Sequence, residues 1–203
     1  MFITFEGGEG AGKSTHIRIL ADRLIAQGRK VVCTREPGGT AEAEALRNLL
    51  VSGAVDAWSA EAEALLNYAA RDSHLHKVIR PALAGGVSVL CDRFMDSTRA
   101  YQGYAGQCSM LLIDCLEQEI VGNTKPNLTF IFDLNPAIGL ARAKARGEGA
   151  EDRFERKGLS FHQKLRSGFL EIAKRDGQRC RIIDASQNLD HVAAQIWSHF
   201  DGR

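Results

Sequence analysis

The chain has 203 residues, enough for one α/β domain with a well-buried core. Its 26 Lys and Arg against 25 Asp and Glu leave a formal net charge of +1, which argues against a dedicated nucleic-acid partner, since such binders carry an excess of basic residues. Five cysteines without a CxxC pair or a companion His cluster argue against zinc, and their odd number fits a reducing compartment better than secretion.

Met1 to Phe5 form an apolar run too short for a signal-peptide core or a membrane span, so a soluble cytoplasmic protein with no membrane partner is expected. Phe2–Phe5 is the first of several short, β-rich runs. Ile17, Leu20, Ala21, Leu24 and Ile25 then recur with a period of about 3.6 residues and stop before Gly28, the pattern of a helix with a glycine after its last turn. Val31–Thr34 reads as a second strand, Ala60–Leu83 as one long helix and Val87–Cys91 as a third strand. A helix over Ser109–Val121, a strand over Leu128–Leu134 and helices over Pro136–Ala145 and Ser160–Lys174 come next. A strand at Arg181–Ile183 and a helix over Leu189–Phe200 complete the chain. The strands lack polar alternation, which predicts cover on both faces, with Cys33 and Cys91 buried at the ends of their runs. Alternating strands and helices without repeat or linker predict a single doubly wound domain over 1–203 with a five-stranded parallel sheet.

Gly7-Gly8-Glu9-Gly10-Ala11-Gly12-Lys13-Ser14 matches G-x-x-x-x-G-K-[ST], with a strand before it and an amphipathic helix after it. Small residues let successive backbone N–H groups turn inward around phosphate oxygens, and the helix adds its positive end to the same point. Lys13 is expected on the β- and γ-phosphates and the Ser14 hydroxyl on Mg²⁺. No Arg or Lys stands between Gly7 and Gly12, so cations for phosphoryl transfer must come from elsewhere. The stretch 139–157 is the candidate source. It carries Arg142, Lys144, Arg146, Arg153, Arg156 and Lys157, with glycines that suit a flap closing over ATP. Arg142 and Arg146 stand four apart and share a helix face.

Asp92 and Arg93 end the third predicted strand, and Arg35 ends the second, at the rim where open α/β sheets bind ligands. Asp92 is placed to orient Mg²⁺ through water. Two arginines facing the cradle suit an acceptor that itself carries a phosphate.

These residues resemble the thymidylate kinase family, whose members phosphorylate dTMP to dTDP, over essentially the whole chain. The motifs are Phe5 to Thr15 around the cradle, Thr34-Arg35-Glu36-Pro37-Gly38-Gly39-Thr40, Leu65 to Arg71, and Asp92-Arg93-Phe94 followed by Ser97 to Gly103. The resemblance implies a P-loop nucleoside monophosphate kinase fold, ATP as donor with Mg²⁺, dTMP as acceptor in dTTP synthesis, and a homodimer. It implies that Gly7 to Thr15 and Gln187, in the loop after the last strand, hold ATP. It places Arg35 and Arg93 on the monophosphate, Glu9 near the sugar hydroxyl or Mg²⁺, and Tyr101 beneath the sugar, where a core aromatic is the alternative. Arg71, Thr98 and Gln102 then serve the base. Catalysis falls to Lys13, Glu9 and Arg93 with Arg142, Arg146 and Arg153 from the flap.

Two positions depart from the family pattern. Asn67 stands where a Phe usually stacks on thymine, and Phe94 replaces a Tyr or His. Asn67 keeps a kinase for another nucleoside monophosphate as the alternative. A GTPase is disfavoured because Asp133-Leu134-Asn135-Pro136 is no NKxD element, and a partitioning ATPase because Glu6-Gly7-Gly8 lacks the extra Lys.

Overall fold

The computed structural model describes residues 1–145 and 153–200. Five strands, β1 (Phe2–Gly7), β2 (Val31–Arg35), β3 (Ser88–Asp92), β4 (Leu128–Asp133) and β5 (Cys180–Asp184), form one parallel sheet in the order β2-β3-β1-β4-β5. All pairings are parallel, with Phe5 opposite Asp92 on one side and Phe130 on the other. From β1 the chain passes to β2 on one side, while β4 and β5 lie on the other. The carboxyl ends around β1 therefore form the crevice in which such sheets bind ligands.

β1 is buried along its whole length. Ile3 and Phe5 point into a cluster shared with Leu20 and Leu24 of α1 (Lys13–Ala26) and Val192 and Ile196 of α9 (Leu189–Phe200). Phe2 points to the opposite face, against Tyr68, Val89 and Phe94. A third cluster joins Ile131 and Tyr101 to Leu165 and Phe169 of α8 (Leu159–Arg175). Strand residues of alternating direction thus reach helices on both faces, as expected for the doubly wound class.

The outer strands are only half covered. β2 lies at one edge, and Cys33 there is exposed, whereas Cys91 on the inner β3 is buried. The expectation of burial at Cys33 is corrected by its edge position. The predicted long helix is α3 (Ala60–His74), a π-helical turn over Leu75–Ile79, and α4 (Arg80–Ala84). Two helices were not expected. One is α2 (Ala41–Val51), capped by the Thr40 hydroxyl, which accepts from the Ala43 N–H. The other is α5 (Met95–Thr98), running into a π-helical segment over Arg99–Ala105. π-Helical turns are rare and concentrate at functional sites. This one carries Tyr101 and Gln102. The remaining helices are α6 (Met110–Leu116), continued by a π turn over Glu117–Val121, and α7 (Pro136–Ala145).

Candidate active site

The Gly7–Ser14 loop joins β1 to α1, with Gly12 in the left-handed conformation at the helix entrance. The first N–H groups of α1 have no carbonyl partner inside the helix and face the loop's concavity. Close packing fixes the loop from behind. A Cβ on Gly10 would lie 2.1 Å from the Gly139 carbonyl oxygen, and one on Gly139 would lie 2.4 Å from the Glu9 carbonyl oxygen. Both positions therefore require glycine, and α7 is pressed backbone to backbone against the cradle. Lys13 is buried and donates from Nζ to the Gly7 and Gly8 carbonyls at 3.2 and 2.9 Å. Burial and the Arg93 cation lower its ammonium to about 8, against the pull of Asp92, Glu9 and Glu6. Thr15, Arg18 and Arg35 line the open side of the same cleft. Ser14 Oγ donates to Asp92 Oδ2 at 2.6 Å.

Arg93 stands at the centre of the site. Its φ of 69° is left-handed, a conformation that disfavours a side chain by roughly 1–2 kcal/mol. Three hydrogen bonds hold the turn in place: Arg93 N–H donates to Phe5 O, Phe94 N–H to Glu6 Oε1 and Ser97 Oγ–H to Glu6 Oε2. Glu6 is fully buried, and burial with the nearby Asp96 carboxylate pushes its carboxyl up to about 8. The turn aims the Arg93 guanidinium at the cradle, where it donates to Gly7 O and to Glu9 Oε1, each at 2.8 Å. Tyr101 Oη donates to the same Glu9 oxygen at 2.7 Å. Burial raises the Glu9 carboxyl, but Arg93, Lys13 and the Tyr101 hydroxyl outweigh it and bring the group down to about 2. Glu9 is an ion-paired carboxylate, not a solvated one.

Beside the cradle lies a second cleft that shares Glu9, Glu36, Arg47 and Arg93 with the first. Asn67, Arg71, Thr98, Tyr101 and Gln102, all singled out in the sequence, line it. Arg71 is buried with Nε on Glu36 Oε2 at 2.7 Å and Nη2 on Thr98 Oγ1 at 3.1 Å. Its guanidinium carbon lies 4.4 Å from the Tyr68 ring centre and 5.1 Å from that of Phe94, within reach of cation–π attraction. The other Glu36 oxygen meets His74 Nδ1 at 2.9 Å. Arg71 Nη1 is buried with no hydrogen-bond partner among the described residues. That unpaired donor lies in the lining of the second cleft. Tyr101 lines the cleft and packs edge-on against Phe154 and Phe169, the contacts of a core aromatic.

Sequence reasoning missed Arg47, Glu36 and Phe154. Arg47 lies on α2 and lines both clefts; it was missed together with the helix that carries it. Glu36 was visible in its motif but reads as a loop acid until Arg71 and His74 are seen beside it.

Arg153 requires a correction. Expected among the flap cations over the phosphates, it is fully buried. It donates to the carbonyls of Leu50, Ala54 and Val55 at 2.9, 2.8 and 3.0 Å and to Glu63 Oε1 at 2.7 Å. The last-turn carbonyl of Leu50 and the loop carbonyls of Ala54 and Val55 converge on the Arg153 guanidinium, whose five donors suit several acceptors at once. Lys157 Nζ lies 3.3 Å from Glu63 Oε1, and Arg156 donates to Gly53 O. Arg142 donates to Ala185 O at 3.3 Å, beside the loop after β5 in which Gln187 donates to Asp184 Oδ2 at 2.9 Å. Arg146 lies outside the described residues.

Among the described residues no three His, Cys, Asp or Glu side chains assemble into a metal cluster. Mg²⁺ bound through nucleotide phosphates and water needs only one or two protein oxygens, and Ser14 Oγ with Asp92 Oδ2 is a hard-oxygen pair of that kind. No helix of the described residues is long and apolar enough to cross a membrane.

A parallel sheet with a P-loop at the end of its central strand, and a second cleft sharing an Arg–Glu pair with that loop, defines a nucleotide-dependent phosphotransferase. The sequence profile of the thymidylate kinase family matches residues 5–196. The thymidylate kinase of Caulobacter vibrioides is 60% identical over 195 residues, covering 96% of this chain and 93% of that relative. The thymidylate kinase of Nitrobacter winogradskyi is 52% identical over 203 residues, covering 100% of this chain and 88% of its own. The crystal structure of thymidylate kinase from Ehrlichia chaffeensis superposes with a TM-score of 0.79 at 35% identity, covering 98% of both chains. The chain belongs to the thymidylate kinase family.

Proposed function

We propose that this chain transfers the γ-phosphoryl group of ATP to the 5′-phosphate of dTMP, giving dTDP and ADP without a covalent protein intermediate. The observation that carries this is the Arg93–Glu9 pair on the wall between the phosphate cradle and the second cleft. A donor phosphate in the cradle and an acceptor phosphate at the mouth of the second cleft would meet there. Lys13 and the α1 N-terminus stabilise charge on the donor phosphates, while Arg93, Arg35 and Arg47 align the acceptor. Mg²⁺, when bound near Ser14 and Asp92, supplies charge neutralisation on the β- and γ-phosphates. Glu9 takes the sugar hydroxyl, with Tyr101 beneath the ring, and Arg71 Nη1 meets a base carbonyl. Gln187 belongs to the adenosine side, and Arg142 and Arg146 are the flap cations proposed for the γ-phosphate. A cytoplasmic homodimer is the expected assembly.

Asn67 on the cleft wall favours one alternative, a kinase for another nucleoside monophosphate. The test is ADP formation with ATP, Mg²⁺ and each of dTMP, dUMP, dCMP, dAMP and dGMP. Turnover restricted to dTMP and dUMP supports the proposal; preference for another base moves it to the alternative, and folded protein inactive with all five overturns it.

A further inference from the structure

We propose that Glu63, through Gln102, sets which edge of a pyrimidine the base cleft accepts, and that Arg153 is the counter-ion that keeps it in that role. The inference rests on the kinase reading above and adds the origin of its base selectivity. Glu63, Asn67 and Arg71 stand at four-residue intervals on α3 and so share one helix face. Glu63 is 1% exposed. Its Oε1 accepts from Arg153 Nη2 at 2.7 Å and from Lys157 Nζ at 3.3 Å, and its Oε2 accepts from Gln102 Nε2 at 2.8 Å.

A carboxylate held by two cations is an acceptor on both oxygens. Only the NH₂ end of the Gln102 amide can face it. The reversed amide would press Gln102 Oε1 against Glu63 Oε2, two acceptors in contact in a buried site. Gln102 therefore turns its carbonyl oxygen to the cleft it lines. Thr98, one turn earlier on the same helical stretch, holds Arg71, whose buried Nη1 has no hydrogen-bond partner among the described residues. A donor on Arg71 beside an acceptor on Gln102 complements a pyrimidine with a 4-oxo group and an N3–H. Cytosine offers an amino group and a bare N3 along that edge and mismatches both. Glu63 touches no substrate in this arrangement; it is a positioning residue, and Arg153 buried beneath it explains why that cation is not in the phosphate cleft.

The experiment compares kcat/KM and calorimetric binding of dTMP, dUMP and dCMP for the wild-type protein and Glu63→Gln. A carboxamide at 63 can present either end and releases Gln102 to flip. The expected result is an about tenfold fall in the dTMP:dCMP ratio with an unchanged dTMP:dUMP ratio, because uracil shares the thymine edge. An unchanged dTMP:dCMP ratio, or an equal loss for all three nucleotides, overturns the proposal, since a purely structural Glu63 would act on all alike. If Glu63→Gln does not fold, Gln102→Leu, which leaves the Glu63–Arg153 pair in place, must lose the same discrimination; its retention overturns the proposal. Failure of the wild-type protein to turn over dTMP would strike the kinase reading alone, because the binding arm still reports the choice between dTMP and dCMP.

Discussion

The two clefts are built by opposite means. The phosphate cradle is one contiguous loop that binds through backbone N–H groups and a helix end, and few side chains are needed to shape it. The base cleft is assembled from side chains of α2, α3, the Met95–Ala105 stretch and the segment after residue 152, held by the buried pairs Arg71–Glu36 and Arg153–Glu63. In the cradle, binding groups and structural groups are the same backbone atoms. In the second cleft the lining is held by buried ion pairs, and the donors facing it are those the pairs leave over. Damage to the first should therefore appear in catalysis, and damage to the second in stability and selectivity together.

The sharpest test is Arg71→Met, which keeps much of the volume and leaves the Glu36 carboxylate buried against His74 alone. Removing one partner of such a pair costs about 3–5 kcal/mol. Urea denaturation should show a loss near the lower end of that range, with dTMP binding lost as well; unchanged stability would erase the contrast between the clefts. Lys13→Ala is the complement. Its ammonium is disfavoured by burial in the free protein, so the melting temperature should hardly move while kcat falls roughly 10²–10³-fold. A comparable fall in melting temperature would show that the cradle is structural too.

Asn67→Phe refines the base cleft without touching its ion pairs. If Asn67 stands where a ring would stack, dTMP binding measured by calorimetry should tighten by roughly 1–3 kcal/mol. No change would move the stacking position elsewhere, with Phe94 and Phe154 as further rings on the cleft wall. The smallest effect is in protons. The free-protein Lys13 value of about 8 lies below the ordinary lysine value, and a bound triphosphate favours the charged form. ATP binding should therefore take up about one proton per site well above pH 8 and none through Lys13 near pH 7. Calorimetry in buffers of different ionisation heat measures this, and affinity should fall as pH rises through 8. Uptake that is the same at pH 7 and pH 9 would remove Lys13 as its source.

The same contrast explains what could be read in advance. The strands are short apolar runs bounded by turn residues, and all five were placed within a residue or two. The cradle was legible because its chemistry is local: the glycines, the lysine and the serine are neighbours in the chain. Helix α2 was not, because its Ala- and Glu-rich start carries little apolar periodicity and follows a motif that reads as a ligand loop. Arg153 was misplaced for a different reason. Its acceptors, at Leu50, Ala54, Val55 and Glu63, are about half the chain away, and no local pattern distinguishes a cation that caps a distant helix from one that meets phosphate. Residue names grouped Asn67, Arg71, Thr98, Tyr101 and Gln102, which do line one cleft, but only their partners show which atoms of Arg71 are already engaged.

Gly139 carries a consequence of its own. In sequence it is one small residue in a helix, yet its missing side chain and that of Gly10 make room for the same backbone contact. Neither can acquire even a methyl group unless the other's chain retreats, and the retreat would deform the loop that grips phosphate. The tolerance of this helix position to mutation should therefore match that of a P-loop glycine, not that of its helical neighbours. The phosphate-binding signature thus has a silent member more than half the chain downstream, which a saturation library scored for growth or activity would reveal as a second glycine-only position.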